Sequence, residues 1–248
     1  MRYLVLSDIH SNLEALEAVL QAADARKHDQ VLVLGDLVGY GADPNAVIER
    51  VRALEPAGIV RGNHDKAAAG IDDTGDFNEV ARAAAEWTLR ELTPAYRQYL
   101  AGLPAGPALV DDVIEICHGS PRDEDTYIFS DTEAIRALRA SRRPVCLFGH
   151  THVPLCARFL GQGRLQVDTP KGLPEFEVVV QEGQKQLINP GSVGQPRDGD
   201  ARASYAIADL EIGRVLIYRV AYPVREAQAK ILSAGLPSML AHRLAMGR

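Results

Sequence analysis

Five of the seven histidines in this 248-residue chain fall in four short clusters, each placed where an apolar, strand-like segment ends. The clusters are Ser7-Asp8-Ile9-His10, Gly62-Asn63-His64-Asp65, Cys117-His118-Gly119 and Gly149-His150-Thr151-His152, and Gly35-Asp36 adds a lone acid between the first two. Imidazole nitrogens combined with carboxylate oxygens suit Mn, Fe, Zn, Co or Ni, whereas Ca and Mg prefer oxygen ligands alone and structural zinc usually takes cysteines. The pattern predicts a site for two metal ions.

The spacing within two of these clusters supports the same interpretation. Asp8 and His10 are two residues apart, so in extended backbone both side chains would point to the same side of a strand, and His150 and His152 repeat that spacing. A solvated polar residue at a strand end is a sufficient explanation for any one histidine. It is a poor explanation for five of seven, and we therefore treat the clusters as one site.

Composition places the chain among ordinary globular proteins, with 46% hydrophobic and 24% charged residues. No apolar run approaches the roughly 20 residues that a membrane-spanning helix needs. The first residues lead directly into a strand-like segment, so we expect no signal peptide and a cytoplasmic location.

The net charge of the chain is −6, which is not typical of a protein that binds nucleic acid through a basic surface. Cys117, Cys146 and Cys156 lack C-x-x-C spacing and are predicted to be reduced.

The elements that must position the clusters begin as strand, loop and helix repeats. Strands are predicted at 3–7, 31–34 and 59–61, and helices follow a Ser11-x-x-Glu14 capping box and the Asp43-Pro44 pair. Such repeats indicate parallel strands with ligands at their carboxyl ends. Residues 78–103 are predicted to be helical with a break at Pro94, and the chain ends in a helical pair over about 224–246.

The second half of the chain has a different pattern, with short strands and few helices. Strands are predicted at 113–117, 145–148, 155–160, 164–167, 175–180, 186–188, 204–210 and 215–220, with one helix at about 132–140 among them. Two sheets packed face to face and flanked by helices, an α/β class of fold, account best for this order.

The complete set of motifs resembles the calcineurin-like metallophosphoesterase superfamily. Asp8-x-His10, Gly35-Asp36, Gly62-Asn63-His64-Asp65, His118 and Gly149-His150-x-His152 all occur, and in family order. The resemblance implies a four-layer α/β/β/α sandwich with two mixed sheets, covering residues 1–248 as a single domain. The segment Asn189-Pro190-Gly191-Ser192-Val193-Gly194 further resembles the short bacterial and archaeal branch that includes small phosphodiesterases.

The resemblance also implies how the ligands are divided. Asp8, His10 and His152 would hold one divalent ion, Asn63, His118 and His150 would hold the other, and Asp36 would bridge the two. Manganese is the expected ion, with Fe, Zn, Ni or Co as alternatives. The ions would carry more positive charge than the two aspartates neutralise, so the site would attract phosphate oxygens. A metal-activated hydroxide would be the nucleophile.

His64 and Asp65 are the predicted catalytic side chains. His64 directly follows Asn63, and neighbouring residues of an extended segment face opposite ways, so we expect His64 to face the substrate and not a metal ion. In the superfamily the corresponding histidine, paired with the next acid, here Asp65, assists the departing oxygen. The alternative is that His64 only orients its loop.

Three further residues are candidates for substrate binding: Asn12, Arg122 and Tyr127. Asn12 stands at the start of the first helix, where amides can meet phosphate, although a plain helix-start role is equally compatible. Arg122 and Tyr127 lie in the loop after His118 and are otherwise ordinary surface residues. Residues 78–103 and this same loop are the expected walls of the pocket. Arg197 and Asp198 form either a surface ion pair or a substrate-loop contact.

The function predicted from these features is two-metal hydrolysis of a phosphate ester, with a small phosphodiester or nucleotide as the expected substrate. His64 keeps open a phosphomonoesterase or protein phosphatase-like activity, and a dinucleoside polyphosphate hydrolase has the same fold. A non-catalytic scaffold, such as the retromer subunit that resembles phosphodiesterases, is a further alternative. A Ser-His-Asp hydrolase built on Ser192 is not supported, because Gly191-Ser192-Val193-Gly194 does not match G-x-S-x-G. The oligomeric state is left open.

Overall fold

The structure is a computed structural model that describes residues 1–160 and 163–248, and in that part of the chain it contains twelve strands and eight helices. The strands are β1 (Arg2–Leu6), β2 (Gln30–Val33), β3 (Gly58–Ile59), β4 (Ala108–Leu109), β5 (Ile114–Ile116), β6 (Val145–Leu147), β7 (Leu155–Phe159), β8 (Leu165–Asp168), β9 (Glu175–Val179), β10 (Gln186–Asn189), β11 (Ala203–Asp209) and β12 (Arg214–Val220). The helices are α1 (Leu13–Asp24), α2 (Pro44–Ala53), α3 (Asn63–Ala69), α4 (Glu79–Glu91), α5 (Pro94–Ala101), α6 (Asp131–Ala140), α7 (Val224–Ser233) and α8 (Ser238–Met246).

The strands form two mixed six-stranded sheets, as predicted. The first sheet has the order β3-β2-β1-β11-β12-β9, in which β1, β2 and β3 are parallel and the remaining pairs are antiparallel. The second has the order β4-β5-β6-β10-β7-β8, with β5, β6 and β10 parallel. The four histidine clusters follow the carboxyl ends of the parallel strands β1, β3, β5 and β6, and Asp36 follows the parallel strand β2.

Apolar contacts between layers explain why the sheets stack. Side chains that alternate along β1 point to opposite faces, so Val5 packs between the sheets with Ile116 and Leu147, whereas Leu4 faces the outer helices. Helices α1, α2, α4, α5, α7 and α8 cover this outer face. Helix α6 covers the second sheet through Leu138. The predicted α/β/β/α sandwich is therefore confirmed.

Helix α1 begins one residue later than the predicted capping box. Its N-cap is Asn12, whose side-chain oxygen accepts a hydrogen bond from the Ala15 N–H at 3.1 Å. Ser11 has φ of 53°, which is incompatible with the extended backbone of an N-cap. The Ser11 to Glu14 capping box was wrong because Ser11 belongs to the loop that carries His10.

Two short elements were not predicted. Helix α3 starts inside the Gly62-Asn63-His64-Asp65 motif and ends after seven residues at Gly70, which adopts a left-handed φ of 75°. Strand β4 has only two residues and pairs with β5. Among the described helices, none is both long and apolar enough to cross a bilayer.

Candidate metal centre

The predicted metal ligands lie in loops that leave the carboxyl ends of parallel strands from both sheets. The first sheet contributes Asp8 and His10 after β1, Asp36 after β2 and Asn63 after β3, and the second contributes His118 after β5 and His150 and His152 after β6. All of these except Asn63 are buried, with exposed fractions of 3% or less. The packing of the sheets thus brings residues far apart in sequence to one place.

Tight loops, and not extended strands, set the directions of these side chains. Asp8, His10, Asp36, His150 and His152 all have positive φ, between 50° and 67°. A non-glycine residue in this region is strained and persists only where surrounding contacts hold it, as happens at functional sites. The expectation that Asp8 and His10, or His150 and His152, extend from one strand face was therefore wrong, because each pair lies in a left-handed turn beyond its strand.

The ligand atoms form two groups that share one carboxylate. One oxygen or nitrogen atom from each of Asp8, His10, Asp36 and His152 can be chosen so that all lie within 4.8 Å of one another, and the same holds for Asp36, His118 and His150. The Asn63 amide oxygen lies 3.3 Å from Nε2 of His118, beside the second group. Asp36 thus stands where the resemblance places a bridging ligand.

Backbone carbonyls determine which ring nitrogen carries a hydrogen in each of the four ligand histidines. A carbonyl oxygen can only accept, so the ring nitrogen that it faces must carry the proton, which leaves the other nitrogen as an acceptor in the neutral ring. The pairs are His10 Nδ1 with Val38 O at 3.0 Å, His118 Nδ1 with Leu34 O at 2.8 Å, His152 Nδ1 with Gln195 O at 2.6 Å and His150 Nε2 with Asp125 O at 3.1 Å.

The remaining ring nitrogens converge in pairs that fit a cation. Nε2 of His10 lies 3.0 Å from Nε2 of His152, and Nε2 of His118 lies 3.1 Å from Nδ1 of His150. Burial lowers the pKa of both His10 and His152, so in that pair two neutral rings present lone pairs, which repel unless a positive ion lies between them. Imidazole, carboxylate and amide donors together match the ligands of Mn, Fe, Zn, Co and Ni.

The charges of the buried ligands are strongly interdependent. Burial raises the pKa of Asp8 to about 6, with a further contribution from Asp36. Burial alone would lower the pKa of His118, but the adjacent Asp36 carboxylate outweighs it and raises that pKa to about 10. Burial would raise the pKa of Asp36, and His118 holds it well below its usual range. Asp36 is therefore ionised, and a protonated His118 pairs with it at 3.4 Å between Nε2 and Oδ2.

Comparison with known proteins agrees with this arrangement. A model of the calcineurin-like phosphoesterase superfamily domain matches residues 1–213. The chain belongs to this superfamily.

Relatives of this calcineurin-like phosphoesterase come from bacteria and archaea. A metallophosphoesterase from Sphaerobacter thermophilus is 42% identical with a TM-score of 0.88, over 100% of this chain and 99% of that chain. A hypothetical protein from Pyrococcus horikoshii OT3 shares the fold, at 23% identity and a TM-score of 0.81, over 100% and 98% of the two chains. An uncharacterized protein from Methanocaldococcus jannaschii is 34% identical over 252 residues, 98% of this chain and 97% of its own length.

His64 of this phosphoesterase lies in helix α3, so the argument from alternation along an extended segment was wrong. Its ring contacts Tyr40 at 4.3 Å between centroids, Phe77 at 4.8 Å and His10 at 5.0 Å. Its Nδ1 is buried without a hydrogen-bond partner in the described residues. The backbone N–H of His64 donates to Asp36 Oδ1 at 2.9 Å, which ties the helix start to the shared carboxylate.

Asp65 has partners other than His64. Its Oδ1 accepts the Val38 N–H at 3.1 Å and its Oδ2 accepts the Gly62 N–H at 3.0 Å. No hydrogen bond joins it to His64 among the described residues. Asp65 therefore braces the loops after β2 and β3 against each other, and a direct part in catalysis stays a prediction.

The three predicted substrate-binding residues lie in different surroundings. Asn12 uses its amide oxygen to cap α1, and its nitrogen donates to Gly194 O at 2.8 Å and to the Tyr222 hydroxyl at 3.3 Å, which favours the helix-start role. Arg122 lines a separate polar depression beside α6. Tyr127 stacks on His150 with ring centroids 3.6 Å apart. Of the three, Tyr127 borders the cavity beside Asn63 and His150, whereas Asn12 lines a small void of about 10 Å³ beside His10.

That cavity has a volume of about 220 Å³ and adjoins Asn63 and His150. Its other walls are Lys66, Asp72, Asp73, Asp76, Phe77, Asp125 and Tyr127. The loop after His118 forms one wall, as predicted. The other wall is residues 72–77 and not the helical segment 78–103, because α4 and α5 pack into the outer apolar layer.

Residues 189–194 hold the metal loops in place through hydrogen bonds. Ser192 Oγ donates to the Asp8 carbonyl at 2.8 Å, and the Gly194 N–H donates to the same oxygen at 2.9 Å. The Asn189 amide donates to Gly149 O at 2.8 Å. A Cβ on Gly194 would lie 1.8 Å from the Ile9 carbonyl, so glycine is required for this close approach.

Proposed function

We propose that the chain is a two-metal phosphoesterase acting on small phosphodiesters. The observation that carries the proposal is the position of Asp36, whose carboxylate belongs to two groups of buried ligands. Manganese is the proposed ion, since a mixed set of nitrogen and oxygen ligands suits it. Free, buried cysteines fit a reducing compartment such as the cytoplasm.

Bound ions would supply an activated water and neutralise charge on the phosphoryl group. The chain supplies the geometry for this chemistry. Carbonyls of Val38 and Gln195 hold the rings of His10 and His152 in place, and the His64 N–H orients Asp36. Low exposure of these groups excludes bulk water, which strengthens every charge interaction in the centre.

The cavity beside the centre favours a small diester over a polyphosphate. Its four aspartates face a single lysine, Lys66, which pairs with Asp72 at 3.0 Å and with Asp125 at 2.5 Å. The surplus negative charge opposes a group that carries further phosphates, and Phe77 and Tyr127 offer apolar walls to an uncharged ester group. This argues against the dinucleoside polyphosphate alternative.

His64 is the proposed aid to the departing oxygen. His64 is 4% exposed and its ring lies beside His10, and no backbone carbonyl among the described residues fixes this ring as one does the ligand rings. Burial lowers the pKa of His64 to about 4, so at neutral pH the ring is neutral and carries one N–H. A neutral imidazole can donate that hydrogen to an oxygen on which charge develops.

The test measures metal content and hydrolysis together. The protein is purified with manganese, the metal per chain is determined, and hydrolysis of bis(4-nitrophenyl) phosphate and of 4-nitrophenyl phosphate is compared. Asp36→Asn should lower both metal content and activity, whereas His242→Ala, at an exposed histidine outside the clusters, should change neither. Preference for the monoester would support the phosphomonoesterase alternative.

Two outcomes would overturn the proposal. Metal content below one ion per chain under manganese saturation would contradict a two-metal centre. Activity that is unaffected by Asp36→Asn would show that hydrolysis does not depend on the shared carboxylate. A scaffold protein would instead bind a partner stably and keep doing so after chelation of its metals.

A further inference from the structure

Arg197 is anchored to the metal centre by the backbone around it. It follows the turn after β10, and its N–H donates to the His152 carbonyl at 3.3 Å. The carbonyl of Gln195, two residues earlier, accepts the His152 Nδ1–H at 2.6 Å. This segment therefore makes hydrogen bonds to both the backbone and the ring of His152, and these bonds fix the position of Arg197 relative to the metal ligands.

The side chain of Arg197 is directed over the rim of the centre. Its Nε and Nη2 both donate to the side-chain oxygen of the buried Gln195, at 3.3 and 2.9 Å. Its Cζ lies 5.5 Å from the centroid of the Tyr40 ring, and that ring contacts His10 at 4.6 Å and His64 at 4.3 Å. The guanidinium is therefore preorganised beside the predicted catalytic histidine.

The positive charge of Arg197 has no acidic partner. Within residues 1–160 and 163–248 it makes no salt bridge, and the residue that orients it, Gln195, is neutral. The next residue, Asp198, pairs with Arg219 instead, and Arg202 pairs with Asp200 at 2.6 Å. Besides the Gln195 amide, the guanidinium also meets the neutral Tyr40 hydroxyl, so in the described residues no carboxylate neutralises it.

The surroundings of the Arg197 guanidinium suit an anionic ligand. A cation that is oriented by neutral groups and has no carboxylate beside it suits an oxyanion, and a guanidinium matches phosphate oxygens in a bidentate manner.

We propose that Arg197 binds the substrate, with its guanidinium contacting a non-bridging oxygen of the phosphoryl group under attack. The inference rests on the proposed phosphoesterase function and adds a protein cation to the two metal ions. Lys66, which lines the cavity beside the centre, is paired with Asp72, Glu124 and Asp125. Arg197 has no such carboxylate partner in the described residues and is available to the phosphoryl group.

The experiment uses the manganese-loaded full chain and inorganic phosphate as the probe. Arg197→Gln should raise the phosphate dissociation constant by about tenfold or more in calorimetry, the range expected for loss of a charge-assisted hydrogen bond. It should lower kcat/KM for bis(4-nitrophenyl) phosphate by about 10²-fold, with metal content unchanged. Arg202→Gln, at an arginine that already has an acidic partner, is the matched control and should leave both values near wild type.

Two further measurements separate substrate binding from a structural role. Arg197→Lys keeps the charge without the planar fork and should give intermediate affinity, and guanidinium ion added to Arg197→Ala should partly restore activity. Unchanged phosphate affinity and kcat/KM in Arg197→Gln would overturn the proposal, as would losses explained entirely by lost metal. If the wild type hydrolyses no phosphoester, the proposed function fails, whereas phosphate affinity still tests Arg197.

Discussion

Nε2 of His10 and Nε2 of His152 lie 3.0 Å apart, although the opposite nitrogen of each ring already donates to a backbone carbonyl. Burial lowers the pKa of both rings well below the usual value, so both are neutral. Two lone pairs therefore face each other in a buried site. The contact costs stability until a cation separates the two nitrogens, and folding and metal binding are coupled through this pair.

The first prediction concerns metal removal. Chelation should lower the melting temperature, because the facing lone pairs and the buried carboxylates lose their cation. Restoring manganese should raise it, and a free ion concentration of about 100 times the dissociation constant corresponds to about 2.7 kcal/mol per site. Differential scanning fluorimetry against manganese concentration measures the effect. Calcium is the matched control, and an equal shift with calcium would contradict the assigned ligand chemistry.

The second prediction concerns Gly62, which packs against the shared carboxylate. A Cβ at this position would lie 2.0 Å from Asp36 Oδ1 and 2.5 Å from its backbone nitrogen. Gly62→Ala should therefore displace Asp36 and reduce metal content and activity together. Gly102→Ala is the control, since the Cβ there meets its nearest atom at 3.5 Å. Full metal occupancy in Gly62→Ala would show that the Asp36 loop shifts without losing its ligand geometry.

Some features of this site can be predicted from local sequence patterns, whereas others depend on contacts between residues that are far apart in the chain. The sheets, their helices and the convergence of the clusters follow from strand ends and apolar spacing, which are local properties of the sequence. The direction of each ligand was not predictable in this way. Asp8 and His10 adopt left-handed φ because Ser192 and Gly194, far along the chain, hold the Asp8 carbonyl, and residue spacing does not report such contacts.

Helix α3 and the role of Arg197 show the same limit. Alternation along an extended segment placed His64 away from the metal ions, whereas the structure begins a helix at Asn63. Arg197 and Asp198 were predicted as a surface ion pair or a substrate-loop contact. Asp198 forms a salt bridge with Arg219 instead. Only the folded chain shows that this pairing leaves Arg197 without a carboxylate partner in the described residues.

The third prediction concerns the ion pair between Asp198 and Arg219, whose side chains are only 1% and 3% exposed. Asp198→Ala should lower the free energy of unfolding by about 3–5 kcal/mol, because it leaves a buried guanidinium without its partner. Urea denaturation measures the loss. Glu177→Ala, which breaks the exposed pair with Arg214, should cost less than about 1 kcal/mol. Similar losses for the two variants would mean that Arg219 reaches solvent when its partner is removed.

The fourth prediction concerns His64 and the departing oxygen. His64→Ala removes the ring but keeps the backbone N–H that holds Asp36, so metal content should stay at the wild-type value. If the ring stabilises the leaving group, the loss of kcat should be about 10²-fold or more for diphenyl phosphate. It should be smaller for bis(4-nitrophenyl) phosphate, because 4-nitrophenolate departs without help.

The ratio of the two losses, and not either loss alone, distinguishes the two roles considered for His64. A ring that only orients its loop would lower both rates by the same factor, since the leaving group would not matter. His242→Ala controls for removal of an imidazole elsewhere on the chain. Equal losses for the two diesters, at equal metal content, would assign His64 to positioning Asp36 and leave the departing oxygen to the metal ions.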